Sequence, residues 1–139
     1  MWLFVVLLVL FCLVVAFHRE DSRMVELKRR YRDFIQRVPE KYEVLKKEVI
    51  ITGLTGQPQQ IGSNVNKGSE IFICIDGDPN DRFHILLHEL AHSTVSEYDH
   101  SDQFWKNFTE LRNYAQDIGM YKPVEKKSYC GQSISDVPL

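Results

Sequence analysis

Cysteine is scarce in this sequence and does not occur in closely spaced pairs. The three cysteines, Cys12, Cys74 and Cys130, form no C-x-x-C motif, and their spacing shows no disulfide pattern. Cys12 also lies inside an apolar segment. We therefore expect no disulfide, and this cysteine usage favours a reducing compartment.

An excess of positive charge is also lacking. The chain has 17 Lys and Arg against 19 Asp and Glu, a net charge of −2 at pH 7 and a pI of about 6.2. This balance gives no electrostatic reason to expect a nucleic-acid partner. A chain of 139 residues can bury a real core, so we expect one small domain behind the N-terminal segment.

Charged side chains are absent from residues 1–17, which form one apolar run. As a helix this run would be about 25 Å long, at the short limit for a bilayer core of about 30 Å. A cleaved signal peptide would show a charged start and small residues at the cut, and only Ala16 fits that pattern. We therefore predict a transmembrane anchor over residues 1–18, with secretion after signal cleavage as the alternative.

Basic residues follow this segment closely, and no basic side chain precedes it. They are Arg19, Arg23, Lys28, Arg29, Arg30 and Arg32. The positive-inside rule places such a flank in the cytosol. We predict a single-pass membrane protein whose N-terminus is outside and whose C-terminal domain is cytosolic.

Hydrophobic periodicity over the rest of the chain indicates an α+β fold. Residues 19–47 are predicted to be an amphipathic helical segment, with one helix over 22–38 and a short one over 40–47. Strands are predicted at 48–54, at 60–65 and, most clearly, at 70–76. Another amphipathic helix is predicted over 102–118, and residues 122–139 are predicted to be an irregular tail.

The pattern H-E-x-x-H, formed by His88, Glu89 and His92, follows the clearest strand. On an α-helix, residues four apart project from one face, so the two imidazoles can bind one Zn²⁺. Glu89 can take a proton from a water at the metal and pass it to a leaving amine. The neighbouring residues are largely apolar, and unpaired imidazoles in such a core helix would be costly to bury. The pattern therefore predicts a zinc site, on a helix capped by Asn80 or Asp81.

A catalytic zinc needs a third protein ligand and one open position for water. The candidates in this stretch are His100, Glu110, Glu97, Asp99 and His84. His100 is preferred because seven residues separate it from His92, enough to end the helix and return across the metal. Glu110, on the following helix, is the main rival and would give a His₂Glu site. Glu97 and Asp99 could orient the ligands, while His84 fits an ordinary polar position in the first helical turn.

The stretch H-E-L-A-H, a loop, and then H-S-x-x-F-W resembles the minimal zinc metallopeptidases of the WLM and SprT-like group. The resemblance covers residues 84–108, and a weaker resemblance extends to strand 70–76. It implies that His88, His92 and His100 bind zinc. It also implies that Glu89 is the catalytic acid and base and that Phe104 and Trp105 are structural.

At the level of the fold, the same resemblance implies a minimal zincin-like domain over residues 48–121. A small β-sheet would pack on the metal helix and its flanking helices. The compact build and the apparent anchor also resemble virus-encoded members of the group.

These observations lead us to expect a zinc-dependent metallopeptidase acting on a protein or peptide. Strand 70–76 is expected to bind an extended peptide by main-chain pairing, and Tyr98 or Tyr121 could stabilise the oxyanion. One alternative is a non-catalytic, zinc-stabilised binding or scaffold module, closed by Cys130, Glu97 or Asp99 as a fourth ligand. Another is that the amphipathic helix 22–38 carries the main role, as a membrane-remodelling or scaffold element, and that the metal site is degenerate. Zn²⁺ is the one cofactor expected, membrane contact is expected through residues 1–18, and the oligomeric state stays open.

Overall fold

A computed structural model describes residues 1–136. Along the chain, three helices are followed by three strands, two further helices and a pair of short strands. The helices are α1 (Trp2–Phe17), α2 (Ser22–Arg37), a 3-10 helix (Glu40–Lys46), α3 (Pro79–His92) and α4 (Asp102–Asp117). The strands are β1 (Ile50–Leu54), β2 (Gly62–Val65), β3 (Glu70–Cys74), β4 (Lys127–Tyr129) and β5 (Gln132–Ile134). This mixture confirms the predicted α+β class. Residues 137–139, the end of the predicted tail, lie outside the described residues.

Helix α1 stands apart from the core, since none of its 16 residues is buried. In the described part of the chain, no single helix has both the length and the apolar composition to cross a membrane. Helices α1 and α2 meet that test only as a pair, bent by 59°. The transmembrane anchor over residues 1–18 is not supported by this result and stays a prediction.

Helix α2 belongs to the core rather than to a separate amphipathic segment. Its buried side chains recur at helical spacing and are Met24, Leu27, Tyr31, Phe34 and Ile35. The Phe34 ring meets Phe83 of α3 edge-on, with the ring centroids 5.6 Å apart. The hydrophobic core therefore begins well before residue 48, where the sequence placed its boundary.

The main sheet has three strands in the order β1-β3-β2. β1 runs parallel to β3, and β2 runs antiparallel to it. Ile71 and Ile73 of β3 are completely buried, as expected for a central strand covered by helices. Because β3 is paired on both edges, the prediction that strand 70–76 offers its main chain to a peptide is wrong. The edge next to the metal helix is that of β2.

The C-terminal residues are also more ordered than predicted. β4 and β5 form an antiparallel hairpin in place of the irregular tail expected over 122–139. Cys130 and Gly131 at its turn have φ angles of 48° and 82°, the left-handed conformations of a tight two-residue hairpin turn.

A disulfide joins Cys130 of this hairpin to Cys74 at the end of β3. The expectation that the cysteines form no disulfide is therefore wrong. The two residues are 56 positions apart in sequence, and only the fold brings them together. Cys12 is the free cysteine of the described residues.

Candidate metal centre

Helix α3 carries the H-E-x-x-H pattern, and local sequence fixes where this helix starts. The Asp78 side chain accepts a hydrogen bond of 2.9 Å from the amide of Asp81, and Pro79 occupies the first turn. Asp78 is thus the N-cap, instead of Asn80 or Asp81, because proline is favoured just inside a helix and cannot donate there. From this start, His88 and His92 lie one turn apart on the same face.

Three imidazoles converge at the end of α3. Nε2 of His88 lies 3.1 Å from Nε2 of His100, and one nitrogen from each of His88, His92 and His100 lies within 4.8 Å of the others. His100 comes from the loop between α3 and α4, immediately before the N-cap of α4 at Ser101. In the described residues, this is the one group of three or more His, Cys, Asp or Glu side chains arranged to hold a metal ion.

Aromatic side chains of α4 surround these rings. Phe104 stacks on His92 at a centroid distance of 4.4 Å, and Trp105 lies 5.4 Å from His100. Burial, followed by repulsion from the other histidines, lowers the pKa of His88 to about 3. Burial and the charges of His100 and Lys67 likewise lower the pKa of His92 to about 4. Both rings are therefore neutral near pH 7, which is the form that binds metals.

Glu89 is buried beside the histidine cluster with 5% of its surface exposed. Burial raises its pKa to about 7. Its carboxylate lies against β2 at Gly62, where an added Cβ would stand 2.7 Å from Glu89 Oε1 and 2.6 Å from Ile85 Cγ2. A glycine is therefore needed for the edge strand to approach the carboxylate this closely. The sequence analysis missed Gly62, because an isolated glycine in a weak strand pattern carries no signal of its own.

A cavity of about 500 Å³ opens in front of these groups. Residues 60–64, in β2 and just before it, form one part of its lining, and β5 with Ser135 forms another. Glu89, the three histidines and the aromatic residues Tyr98, Trp105 and Phe108 also line the cavity. The predicted tail, residues 122–139, thus supplies a wall of the site.

The other candidate ligands lie elsewhere. Glu110 accepts a hydrogen bond from Tyr42 and pairs with Lys41 Nζ at 2.5 Å. Cys130 is held in the disulfide, and the exposed Glu97 side chain lies 3.5 Å from the Ser101 hydroxyl. Asp99 is exposed and is not part of the histidine cluster.

His84 is not the ordinary polar residue of the first helical turn that the sequence suggested, since it is buried. Its Nδ1 lies 3.0 Å from Asp136 and 2.9 Å from the Tyr121 hydroxyl, which itself donates to Asp136. Arg112 and the amide of Val124 complete the network at 3.1 and 2.7 Å from the same carboxylate. Tyr121 therefore serves this buried network, and Asp136 was missed because it lies in the stretch expected to be irregular.

Comparisons with known proteins point to one family. The model of the WLM domain matches residues 37–137 of this chain. Uncharacterized protein R325 of Acanthamoeba polyphaga mimivirus is 32% identical over 83 residues, which cover 52% of this chain and 42% of R325. Uncharacterized protein 136R of Invertebrate iridescent virus 6 is 32% identical over 77 residues, covering 48% and 43% of the two chains. The chain therefore spans less than half the length of these two relatives.

Among solved structures, the metallopeptidase zymogen of Pyrococcus abyssi abylysin has a TM-score of 0.42 at 17% identity, covering 74% of this chain and 100% of that one.

The buried Asp136 carboxylate yields a prediction about acid stability. Burial raises its pKa, but hydrogen bonds from His84, Tyr121 and a backbone amide outweigh this and lower the pKa from its ordinary value of 3.8 to about 2. A depressed pKa stabilises the fold at pH values above the unfolded value, and that stability is lost as the pH falls towards the folded value. We expect Asp136→Asn to lower the free energy of unfolding at pH 7 by about 2–3 kcal/mol, because it leaves Arg112 and His84 without their anion.

Denaturant unfolding at pH 7 and at several lower pH values measures this effect. The wild type should lose stability between about pH 4 and pH 2, and Asp136→Asn should lose clearly less over that range. Asp117→Asn, at an exposed aspartate near the end of α4, is the matched control and should follow the wild type. Identical acid dependence in the wild type and Asp136→Asn would contradict the assignment.

Proposed function

The chain belongs to the WLM domain family, and on that premise we propose that it is a zinc-dependent metallopeptidase. The predicted resemblance to this family is confirmed by the match, and the virus relatives fit the predicted resemblance to virus-encoded members. One observation carries the proposal beyond the family: three imidazole nitrogens lie within 4.8 Å of one another beside a buried carboxylate. We assign His88, His92 and His100 as metal ligands and Glu89 as the general base and acid.

The donor set suits zinc in type and in spacing. Two nitrogens that each lie about 2.0–2.1 Å from a tetrahedral Zn²⁺ are about 3.3 Å apart. The 3.1 Å between the Nε2 atoms of His88 and His100 is close to this value. Zinc bound there would supply the Lewis acidity that activates water and polarises a carbonyl group.

Glu89 is the group that we propose moves protons. Its carboxylate lines the same cavity as the histidines, so a water in that cavity is within its reach. Glu89 would take a proton from the attacking water and return it to the leaving amine, as a general base and then as a general acid. Its burial favours this role, since a carboxylate with few water neighbours accepts a proton more readily.

The substrate that fits this cavity is an extended peptide. Among residues 1–136, β2 pairs with β3 alone, so its other edge can hydrogen-bond a peptide main chain. Gly62 brings that edge against Glu89, which would place a bound peptide bond next to the general base. We therefore propose that β2, in place of strand 70–76, aligns the substrate.

A closed structural zinc site is the less favoured function. Such a site needs a fourth protein ligand, and among the described residues no Cys, Asp or Glu side chain joins the three histidines. The cavity beside the histidines favours an accessible metal instead.

The ligand assignment predicts which variants lose zinc. Purified 21–139 should bind about one Zn²⁺, and His100→Ala should reduce binding by more than tenfold, because a site with two histidines lacks one of the three ligands of a catalytic zinc. Glu110→Ala should keep the metal, since Glu110 pairs with Lys41 and Tyr42. Metal analysis after dialysis gives the answer, and loss of zinc only in Glu110→Ala would overturn the assignment.

The role of Glu89 is tested by separating zinc binding from turnover. Glu89→Gln should retain zinc and lower the rate of peptide cleavage by at least about 10²-fold, because the amide cannot accept the proton. Cleavage of a mixed peptide library, read by mass spectrometry, measures the rate. Glu43→Gln, at an exposed glutamate of the 3-10 helix, is the control. Full activity in zinc-loaded Glu89→Gln would show that Glu89 is not the base.

We also propose that residues 1–18 hold the protein at a membrane and that the catalytic domain faces an oxidising compartment. Helix α1 is uniformly apolar and entirely exposed, which supports the first part. The Cys74–Cys130 disulfide supports the second, because such bonds persist outside the cytosol. The basic flank 19–32 favours the opposite orientation through the positive-inside rule, which is a statistical bias. A disulfide, in contrast, requires an oxidising environment to form.

Thiol labelling distinguishes the two locations. In full-length protein from eukaryotic cells, denatured without reductant, one thiol (Cys12) should react with a maleimide reagent, and three should react after reduction. Cys130→Ser should give two reactive thiols under both conditions, because Cys74 loses its partner. Three reactive thiols in the unreduced wild type would place the domain in a reducing compartment.

A further inference from the structure

The third metal ligand of the proposed site is the least constrained by secondary structure. His88 and His92 are held by the backbone of α3, whereas His100 is exposed and lies in the loop between α3 and α4. Ser101, the next residue, caps α4 by accepting a hydrogen bond from the amide of Phe104. The loop that leads to His100 is therefore fixed at its C-terminal end. At its N-terminal end, the hydroxyls of Ser93 and Thr94 accept hydrogen bonds from Asn64 and Asn107. The middle of the loop, at Glu97, has a separate support.

Lys67, in the turn between β2 and β3, provides that support. Its ammonium group donates to the carbonyl of His92 at 3.0 Å and also to the carbonyl of Glu97. The same group lies 4.6 Å from the centre of the Tyr98 ring. A single side chain thus connects the last residue of the metal helix to the middle of the loop.

The position of Lys67 suits a cation. The last carbonyls of an α-helix lack partners within the helix and carry partial negative charge. Lys67 satisfies one of them and, through Glu97, orders the loop beyond the helix end. Because these two hydrogen bonds run to backbone carbonyls, they do not depend on which side chains the loop carries.

The backbone conformation of this turn directs the Lys67 side chain towards the end of α3. Asn66 and Lys67 have φ angles of 50° and 55°, left-handed conformations that are uncommon in residues other than glycine. Asn64 holds the turn by accepting a bond of 2.7 Å from the amide of Gly68. The Asn64 amide group donates in turn to the carbonyl of Glu89 and to the hydroxyl of Ser93, both at 2.7 Å. The surrounding contacts therefore maintain an unfavourable backbone conformation that directs Lys67 at the end of α3.

We propose that Lys67 is a positioning residue that sets the zinc affinity of the site by holding the loop that carries His100. This inference rests on the proposed function, since it assumes that zinc binds to His88, His92 and His100. Lys67 acts through the backbone of the loop, since its hydrogen bonds run to the carbonyls of His92 and Glu97. Removing a residue that orients a metal ligand lowers the metal affinity about 10- to 100-fold.

Lys67→Met tests this inference, because methionine keeps the aliphatic length of the side chain and loses its donors. We expect zinc affinity, measured by competition with a chelator, to fall about 10- to 100-fold. The thermal midpoint of the metal-free protein should change little, since Lys67 contributes no core side chain. Lys67→Arg, which keeps a charged donor, should restore much of the affinity. Lys46→Met, at an exposed lysine of the 3-10 helix, is the control.

Peptide cleavage at saturating zinc separates positioning from substrate binding. Lys67→Met should then keep a KM close to that of the wild type. A raised KM with unchanged zinc affinity would overturn the inference and make Lys67 a substrate-binding residue. Lys67→Ala, which also lacks a donor, serves as a second variant if Lys67→Met does not fold, with the same expected loss of affinity. A wild type that binds no zinc would overturn the proposed function itself, whereas a normal wild type with an unaffected Lys67→Met would overturn only the role of Lys67.

Discussion

The burial of helix α3 is the constraint on which the rest of the site depends. Its apolar residues, among them Leu86, Leu87 and Leu90, are almost completely buried and fix how the helix is rotated about its axis. With the rotation fixed, the 3.6-residue period turns His88 and His92 towards the cavity and Glu89 towards β2. The same burial makes each polar group on the helix costly unless it is paired. Arg82 meets part of this cost, since its Nη1 donates to the carbonyls of Ile75 and Gly77 at 3.1 and 2.6 Å. Its buried Nε has no hydrogen-bond partner among the described residues.

The C-terminal hairpin is the second part of the fold that shapes the site. It is tied to the sheet by the disulfide and by the hydroxyl of Tyr129, which donates to the carbonyl of Cys74. The Tyr129 ring lies so close to Gly77 that an added Cβ there would stand 2.2 Å from it. Asp136 anchors the end of the same segment to α3 and α4. These contacts make the hairpin a fixed part of the cavity lining, together with residues of the edge strand β2.

Family membership and local geometry contribute different parts of the functional argument. The WLM domain match assigns the family of the chain, whereas the proposed ligands and base rest on how this chain arranges His88, His92, His100 and Glu89. The proposed support of His100 depends on a single residue, Lys67, in the turn between β2 and β3. The match also extends from residue 37 to residue 137, which agrees with a hairpin that belongs to the domain.

The sequence by itself determined the elements whose signals are local. The spacing of His88 and His92, the apolar periods of α2 and α4, and the strand at 70–76 each depend on neighbours within a few positions, so the helices, the main strands and the α+β class could be predicted. His100 could be singled out because its spacing from His92 matches a known family pattern. The tertiary structure alone decided the Cys74–Cys130 bond, the free edge at β2, the wall formed by the hairpin and the contact of Lys67 with the loop. Each of these joins residues far apart in the chain, and such pairs are selected by the packing of the whole domain, which no local period in the sequence records.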